Sequence, residues 1–335
     1  MSRVEQLTMY LDLKNSRGIE YGALANPIVK KSQNNVIYVD YTSTKELVEK
    51  SNTDPNVKES DIVGVDVNLS EPESAKALQD RGPFDYIVAS HVFEHLPNSL
   101  AWLEEASSLL REGGIISLAI PDKRYTFDFF RRLSEPSDWL TTYIDSSERP
   151  TTAQLLDHYL NVRVVDTLTA WNEEPTLLKC PRHHNDWVAL DLARIGQLTY
   201  TDCHCFVYTD SSFVAILHYI QSMKLLLNLE VLKVFPPERY SNEFIIALRV
   251  SSGRKEITHS EVSLSVIPQK YDGKIVHQPA GNRGKDDGWY LVKNGKRSWI
   301  TDGAYLAKNG YKANEVIEIS IAEFQAIPED QQSLN

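Results

Sequence analysis

Cysteine is scarce in this sequence: three residues in 335, Cys180, Cys203 and Cys205. An odd, small number does not read as a disulfide framework, which sets aside a small secreted scaffold. No apolar stretch reaches the length a bilayer-spanning helix needs. The N-terminus, MSRVEQLTMYLDLK, is charged and amphipathic where a signal peptide would have an apolar core. A cytoplasmic protein without a membrane span is therefore expected. Positive charge is also in deficit, 35 Lys and Arg against 46 Asp and Glu, for a formal net charge of −11. That argues against a broad phosphate-binding face, and so against nucleic acid as a partner. What is present is enough apolar residue, 42%, to bury a sizeable core.

The first 250 residues alternate strand-like and helix-like segments. Residues 4–13 read as an amphipathic helix, Arg17 to Tyr21 as a strand ending at Gly22, and Val36 to Asp40 as a second strand. Thr44 to Lys50 reads as a helix, Asp61 to Asp66 as a third strand, and Phe84 to Ser90 as a fourth whose apolar run suits burial on both faces. Pro97 to Leu110 is a helix with Pro at its start and Gly113-Gly114 beyond its end, and Gly114 to Ile120 is a fifth strand stopped by Pro121. This alternation predicts an α/β fold with a mostly parallel sheet and right-handed crossovers. Residues 134–207, polar and rich in Trp, His and Cys, break the rhythm and read as an insertion. A helix over 210–222 and two closing strands, Glu230 to Phe235 and Glu243 to Val250, follow.

Residues 251–335 change character and are read as a linker and a small β-rich C-terminal domain. Ser251 to Glu256 is a polar linker. Lys270 to Asp287, rich in Gly, Asp and Lys, is expected to be mobile. Trp289 to Asp302 reads as a β-hairpin turning at Asn294-Gly295.

In an open α/β sheet, ligands bind beyond the carboxyl ends of the strands. Gly22 permits a tight turn and close approach of a ligand there. Asp40, 20 residues after Glu20, can accept bonds from both hydroxyls of a ribose. Asp66, at the end of the third strand, can receive an adenine amino group. GIEYGALANP lacks the later glycines of a dinucleotide fingerprint, which argues against a pyrophosphate on the helix N-terminus. S-adenosylmethionine carries no phosphate and does not need that approach.

At GIEYGALANP, VIYVD, FDYIVASHVFEHL, LLREGGIISLAIPDKRYTFD and HCFVYT the chain resembles the class I S-adenosylmethionine-dependent methyltransferases, in particular the type-11-like branch often associated with bacterial glycan and cell-surface pathways. The resemblance covers about residues 15–250. It implies a Rossmann-like, seven-stranded, mostly parallel sheet whose last strand is antiparallel. It also implies S-adenosylmethionine as donor, with S-adenosylhomocysteine as product. It matches Glu20, Gly22 and Ala23 to the methionine part of the donor, and Asp40 and Tyr41 to the ribose. Asp66, Val67 and Asn68 match the adenine region, and Ser90 and His91 the surroundings of the methyl group. The pattern departs from many members at Ala23 to Asn26, where further glycines are usual. The C-terminal hairpin resembles a short module attached to diverse bacterial proteins and indicates no chemistry.

Methyl transfer from a sulfonium needs donor and acceptor held in line, and a hydroxyl acceptor also benefits from a general base. His91 follows the fourth strand and should face the cofactor cleft. His95, one helical turn on, reads as a structural histidine. In the insertion, Arg182, His183, His184, Asn185, Asp186 and Trp187 form a dense polar and aromatic run, followed by Asp202, His204 and Tyr208. Tryptophan stacks on sugar faces while Asn, Asp and His bond hydroxyls, so this run suits a sugar-like or hydroxyl-rich acceptor. His204 and His184 are the candidate general bases; the alternative is a polar cluster that only stabilises the insertion. Asp122, Lys123 and Arg124 suit an acidic acceptor such as a nucleotide-sugar, or are a solvated loop.

Cys180-x-x-His183 with Cys203-x-Cys205 offers four zinc ligands, but the C-x-C pair needs a sharp turn to chelate, and no metal is assigned. The expected function is O-methylation of a sugar, nucleotide-sugar or other hydroxyl-rich small acceptor. Two other classes compete. One is a nicotinamide-dependent oxidoreductase, which Asp40 fits but the absent GxGxxG does not. The other is a binding module that keeps a degenerate donor pocket.

Overall fold

The computed structural model describes residues 1–51, 57–251, 270–277, 288–319, 324, 327–330 and 333–334. The chain divides into two compact units, Met1–Arg254 and Lys255–Asn335.

The first unit is built on seven strands: β1 Arg17–Tyr21, β2 Asn35–Asp40, β3 Val67–Asn68, β4 Phe84–Ser90, β5 Leu110–Pro121, β6 Leu229–Phe235 and β7 Glu243–Val250. They lie in the order β3-β2-β1-β4-β5-β7-β6. β1 to β5 run parallel, and β7 is antiparallel to both β5 and β6. The Rossmann-like sheet expected from the sequence is thus present. The central strands are apolar on both faces, with Ile87, Val88, Ile116, Leu118, Phe244, Ile246 and Leu248 all buried. Each such side chain contributes roughly 1.5–3 kcal/mol by leaving water. Gly18 of β1 has no side chain because the Tyr86 ring of β4 occupies that space, 2.0 Å from where a Cβ would stand.

Five helices accompany the sheet: α1 Arg3–Thr8, α2 Thr44–Ser51, α3 Ser74–Arg81, α4 Ser99–Leu109 and, before the closing strands, a long helix Asp210–Ser222. Several boundaries differ from the sequence reading. α1 stops at Thr8, because Leu11 and Leu13, two residues apart, both pack on the cluster around Val36 and Tyr38. α4 starts at Ser99, where the Asn98 side chain accepts the Ala101 N–H. The third strand starts one residue after Asp66. Its expected N–H partners go elsewhere: Val63 donates to the Leu24 carbonyl and Val65 to Thr44 Oγ1.

Between β5 and the helix Asp210–Ser222 the insertion is helical: α5 Pro136–Ile144, α6 Thr152–Asn161, α7 Thr167–Asn172 and α8 Asp186–Ile195. It returns through a segment without regular structure whose residues Cys203 to Tyr208 are all buried. Among the described residues no helix is long and apolar enough to cross a membrane.

The second unit holds a four-stranded sheet of Ile275–His277, Trp289–Lys293, Lys296–Trp299 and Ile317–Glu318. The hairpin expected at Asn294-Gly295 is present; both residues have positive φ, 51° and 75°. The polar linker beyond Ser251 and most of the Lys270–Asp287 stretch fall outside the described residues.

Candidate active site

The carboxyl ends of β1, β2 and β4 bring the expected donor residues together. Gly22 follows β1 with φ +66°, and a Cβ there would stand 2.5 Å from Val92 Cγ2, so both backbone and space require glycine. Glu20 is buried, and its two carboxylate oxygens accept the N–H groups of Ile28 and Val29 at 2.7 and 2.8 Å. It therefore shapes the loop from Gly22 to Val29 that borders the site. Burial pushes its pKa up to about 7 against the pull of those N–H groups and Arg3. Ala23 is buried in the same wall.

Asp40 ends β2, also buried, and accepts the Tyr41 N–H at 2.8 Å. Burial raises its pKa although the Tyr41 and Thr42 N–H groups and Lys50 act to lower it. Such a carboxylate gains from donor hydroxyls. Tyr41 is exposed, with its ring 5.8 Å from that of Tyr200, so the insertion reaches over the end of β2.

The third strand corrects one expectation. Asp66 does not stand at its carboxyl end: its carboxylate accepts the Tyr38 N–H at 2.7 Å and pairs with Lys31. Val67 is buried opposite Val39, and Asn68 is the residue in register with Asp40.

After β4 the chain turns sharply at His91, whose φ is +54°. Ser90 takes a hydrogen bond from Arg3, which also pairs with Glu243 at 2.5 Å. His91 Nε2 lies 2.8 Å from Glu243, and its Nδ1 lies 3.6 Å from Glu94. Burial alone would lower the His91 pKa, but the two carboxylates raise it to about 9. His91 is thus cationic near neutral pH.

The buried segment Cys203–Tyr208 is strapped to the one-turn helix Phe93–His95 by the Glu94 carbonyl, which accepts the Cys205 N–H at 2.6 Å. This places His204 beside His95, ring centres 4.7 Å apart. His204 Nδ1 is 2.6 Å from Asp128, and His95 Nδ1 is 2.9 Å from Asp202. Arg131, fully buried, bonds Asp128, Asp157 and the His204 carbonyl. His158, close by, has its pKa lowered to about 3 by burial and by Arg131. Phe127 lies between His204 and His183, and His184 stands edge-on to Tyr159, so both insertion histidines border the same cluster.

Other expected acceptor residues serve structure. Asn185 caps α8 through the Val188 N–H, and Asp186 pairs with Arg182. Trp187 is 76% exposed. Asp122 is buried, with its oxygens taken by Arg124, whose guanidinium also bonds Asp210, and Lys123 donates to the Arg131 carbonyl. Asp122 and Arg124 are thus tied to each other and to Asp210, which favours the charged-loop reading of this segment over an acceptor site.

The residues that sequence reasoning missed are Glu94, Asp128, Arg131 and Glu243. A cavity of about 710 Å³ also went unread; it lies beside α4 and α5, lined by Asn98, Trp102, Glu105 and Tyr143.

The left-handed glycine under Val92, the buried strand-end carboxylate at Asp40 and the 3-2-1-4-5-7-6 sheet fit a nucleoside-bearing methyl donor without phosphates. These are the features that the resemblance to class I S-adenosylmethionine-dependent methyltransferases implies. Residues 18–174 match the family model described as a methyltransferase domain. Among solved structures, one similar fold is the CurJ carbon methyltransferase, 15% identical, covering 72% of this chain and 50% of that one, TM-score 0.34. This chain therefore spans half the length of that protein. A second is an S-adenosylmethionine-dependent methyltransferase from Mesorhizobium loti, 12% identical, covering 74% and 98%, TM-score 0.37. A third is the plantazolicin methyltransferase BpumL in complex with S-adenosylhomocysteine, 10% identical, covering 74% and 82%, TM-score 0.35. No curated protein matches the chain.

Proposed function

We propose that the chain methylates a hydroxyl of a small, hydroxyl-rich acceptor such as a sugar or nucleotide-sugar, which enters between the end of β4 and the helical insertion. The observation that carries this reading is the ring of imidazoles and carboxylates, His91, Glu94, His95 and His204, grouped directly after β4. A hydroxyl is a poor nucleophile until its proton is drawn away, so it benefits from such a polar setting. The donor supplies an electrophilic methyl on a sulfonium. The acceptor oxygen forms the new C–O bond, the S–CH₃ electron pair stays on sulfur, and the hydroxyl proton passes to a base.

The chain's own residues have three tasks. Gly22 and the loop held by Glu20 leave room for the donor, and Asp40 accepts its ribose hydroxyls. His91, cationic and fixed by Glu243, sets positive charge beside the reacting groups. His204, with Asp128 on Nδ1, and His184, on the rim, are the two candidates for proton acceptor.

The test is transfer of labelled methyl from S-adenosylmethionine to a panel of sugars, nucleotide-sugars, amines and carboxylic acids. An ether label stable to mild base, lost in Asp40→Ala together with donor binding, supports the reading. Label appearing only on amines, or as base-labile esters, overturns it.

A further inference from the structure

Glu94 is the least explained group in the molecule. It is 1% exposed, and neither of its carboxylate oxygens has a hydrogen-bond partner among the described residues. A buried carboxylate is costly without a cation against it, and His91, 3.6 Å away, supplies a charge but does not close to a hydrogen bond. Three imidazole nitrogens surround Glu94 Oε1: His91 Nδ1 at 3.6 Å, His95 Nε2 at 3.7 Å and His204 Nε2 at 4.0 Å. Charged hydrogen bonds would close to about 2.7–2.9 Å, and these do not. Ligands bound to one tetrahedral ion at roughly 2.0–2.2 Å stand about 3.3–3.6 Å from each other. Glu94 Oε1 stands 3.7 and 4.0 Å from the His95 and His204 nitrogens, and all three ligand atoms lie within 4.8 Å of one another, so side-chain shifts of about 1 Å would bring them to that spacing.

The far nitrogens give an independent reason. His95 Nδ1 is held by Asp202 at 2.9 Å and His204 Nδ1 by Asp128 at 2.6 Å. Each carboxylate accepts a hydrogen bond from Nδ1–H and so favours the tautomer whose Nε2 lone pair faces Glu94. Two lone pairs and a carboxylate aimed at one point repel unless a cation stands among them. Carboxylate–histidine pairs of this kind orient and strengthen imidazole ligands. Arg131 completes the support by pairing with Asp128 and bonding the His204 carbonyl.

We propose that Glu94, His95 and His204 bind one divalent first-row transition ion of the Zn²⁺ or Mn²⁺ type, with coordination positions left for an oxygen of the acceptor. The nitrogen and carboxylate set suits such ions better than Ca²⁺ or Mg²⁺, which prefer all-oxygen sites. The cysteines are not part of this set, and Cys205 donates its S–H to the His95 carbonyl. The site rests on the methyltransferase reading and deepens it. An ion here binds and polarises the acceptor hydroxyl, which lowers its pKa. His204 is then a ligand, and His184 on the rim is left as the proton acceptor of the two.

The experiment uses the full chain, freed of metal by a chelator, titrated with Co²⁺, Zn²⁺, Mn²⁺ and Mg²⁺ by calorimetry and by thermal melting. Co²⁺ also reports its ligands through visible d–d absorption. Expected are one ion per chain, a higher Tm with the ion, no comparable Mg²⁺ binding, and about 100-fold weaker Zn²⁺ binding in Glu94→Gln. Asp202→Asn, which alters the carboxylate on the far side of His95, should weaken binding about 10–100-fold. Should Glu94→Gln fail to fold, the wild-type Co²⁺ spectrum and its change in Asp202→Asn decide the matter. The proposal is overturned if the wild-type chain shows no d–d band and no ion-dependent Tm, or if Zn²⁺ binding is the same in both variants. S-adenosylmethionine binding is measured on the same metal-free protein. Donor binding without ion binding overturns the metal site alone, and loss of both overturns the methyltransferase reading beneath it.

Discussion

Gly22 shows how one residue sets the shape of the donor end. An alanine there must hold a left-handed backbone and also displace Val92, which lies 2.5 Å from the new Cβ. Gly22→Ala is expected to cost about 1–3 kcal/mol of stability and to weaken donor binding about tenfold or more, read by urea denaturation and calorimetry. Unchanged affinity would remove Gly22 from the donor site. Glu20 gives a prediction in pH. Its folded pKa, about 7, lies above its ordinary 4.5 because burial disfavours the charge. A raised pKa means that the folded chain holds the proton more tightly. The stabilisation is full below pH 4.5 and is lost as pH rises through 7. Glu20→Gln, neutral throughout, gives up one loop N–H bond at every pH but escapes this loss. Its stability relative to wild type should therefore improve between pH 5 and pH 8 in denaturant titrations, and a flat difference would count against the raised pKa. At this scale the sequence showed Gly22, Asp40, His91 and His204, because strand ends and a histidine-rich run mark them. It did not show Glu94, Asp128 or Glu243, nor that Asp202 pairs with His95. The histidine partners of Asp128, Asp202 and Glu243 lie 76, 107 and 152 residues away in the chain, beyond the reach of local spacing.

The elements explain why those distant residues meet. The strap Cys203–Tyr208 is fixed at one end by the Glu94 carbonyl, which accepts the Cys205 and Phe206 N–H groups. At the other, the Tyr208 carbonyl takes the Lys123 N–H. Arg131 pins its middle from beneath, buried with Asp128 and Asp157 as its ion partners. Arg131→Met would leave Asp128 buried and uncompensated, so a loss of about 3–5 kcal/mol is expected in equilibrium unfolding. A loss below about 1 kcal/mol would show that the strap is held by packing instead. The sheet was legible because its strands are short apolar runs between turn signals, and the closing pair kept that pattern. Edges were less so: the third strand shifted from Asp61–Asp66 to Val67–Asn68 once the N–H groups of Val63 and Val65 found partners outside the ladder. The insertion hid its helices because they are short and each begins on a polar side chain that reads as loop, such as Asp166 before α7 and Asn185 before α8.

At the scale of the whole molecule, the two units keep separate cores. One buried set runs from Leu7 to Val250 through the sheet and its helices, and another is drawn from residues between Tyr271 and Ile327 around the small sheet. Every residue placed at the donor end, from Glu20 to His91, belongs to the first unit, as do the histidines and carboxylates of the acceptor side. Stability and donor binding are thus properties of residues 1–254, on the proposal that this unit is a domain in its own right. A chain ending at Arg254 should unfold in one cooperative transition and bind S-adenosylmethionine within about twofold of the full chain, a difference of less than 0.5 kcal/mol. Calorimetry on both chains checks this. A truncated protein that folds, with unchanged near-ultraviolet dichroism, yet binds the donor tenfold more weakly would mean that the C-terminal unit contributes to the site. The division of labour argued here would then be wrong.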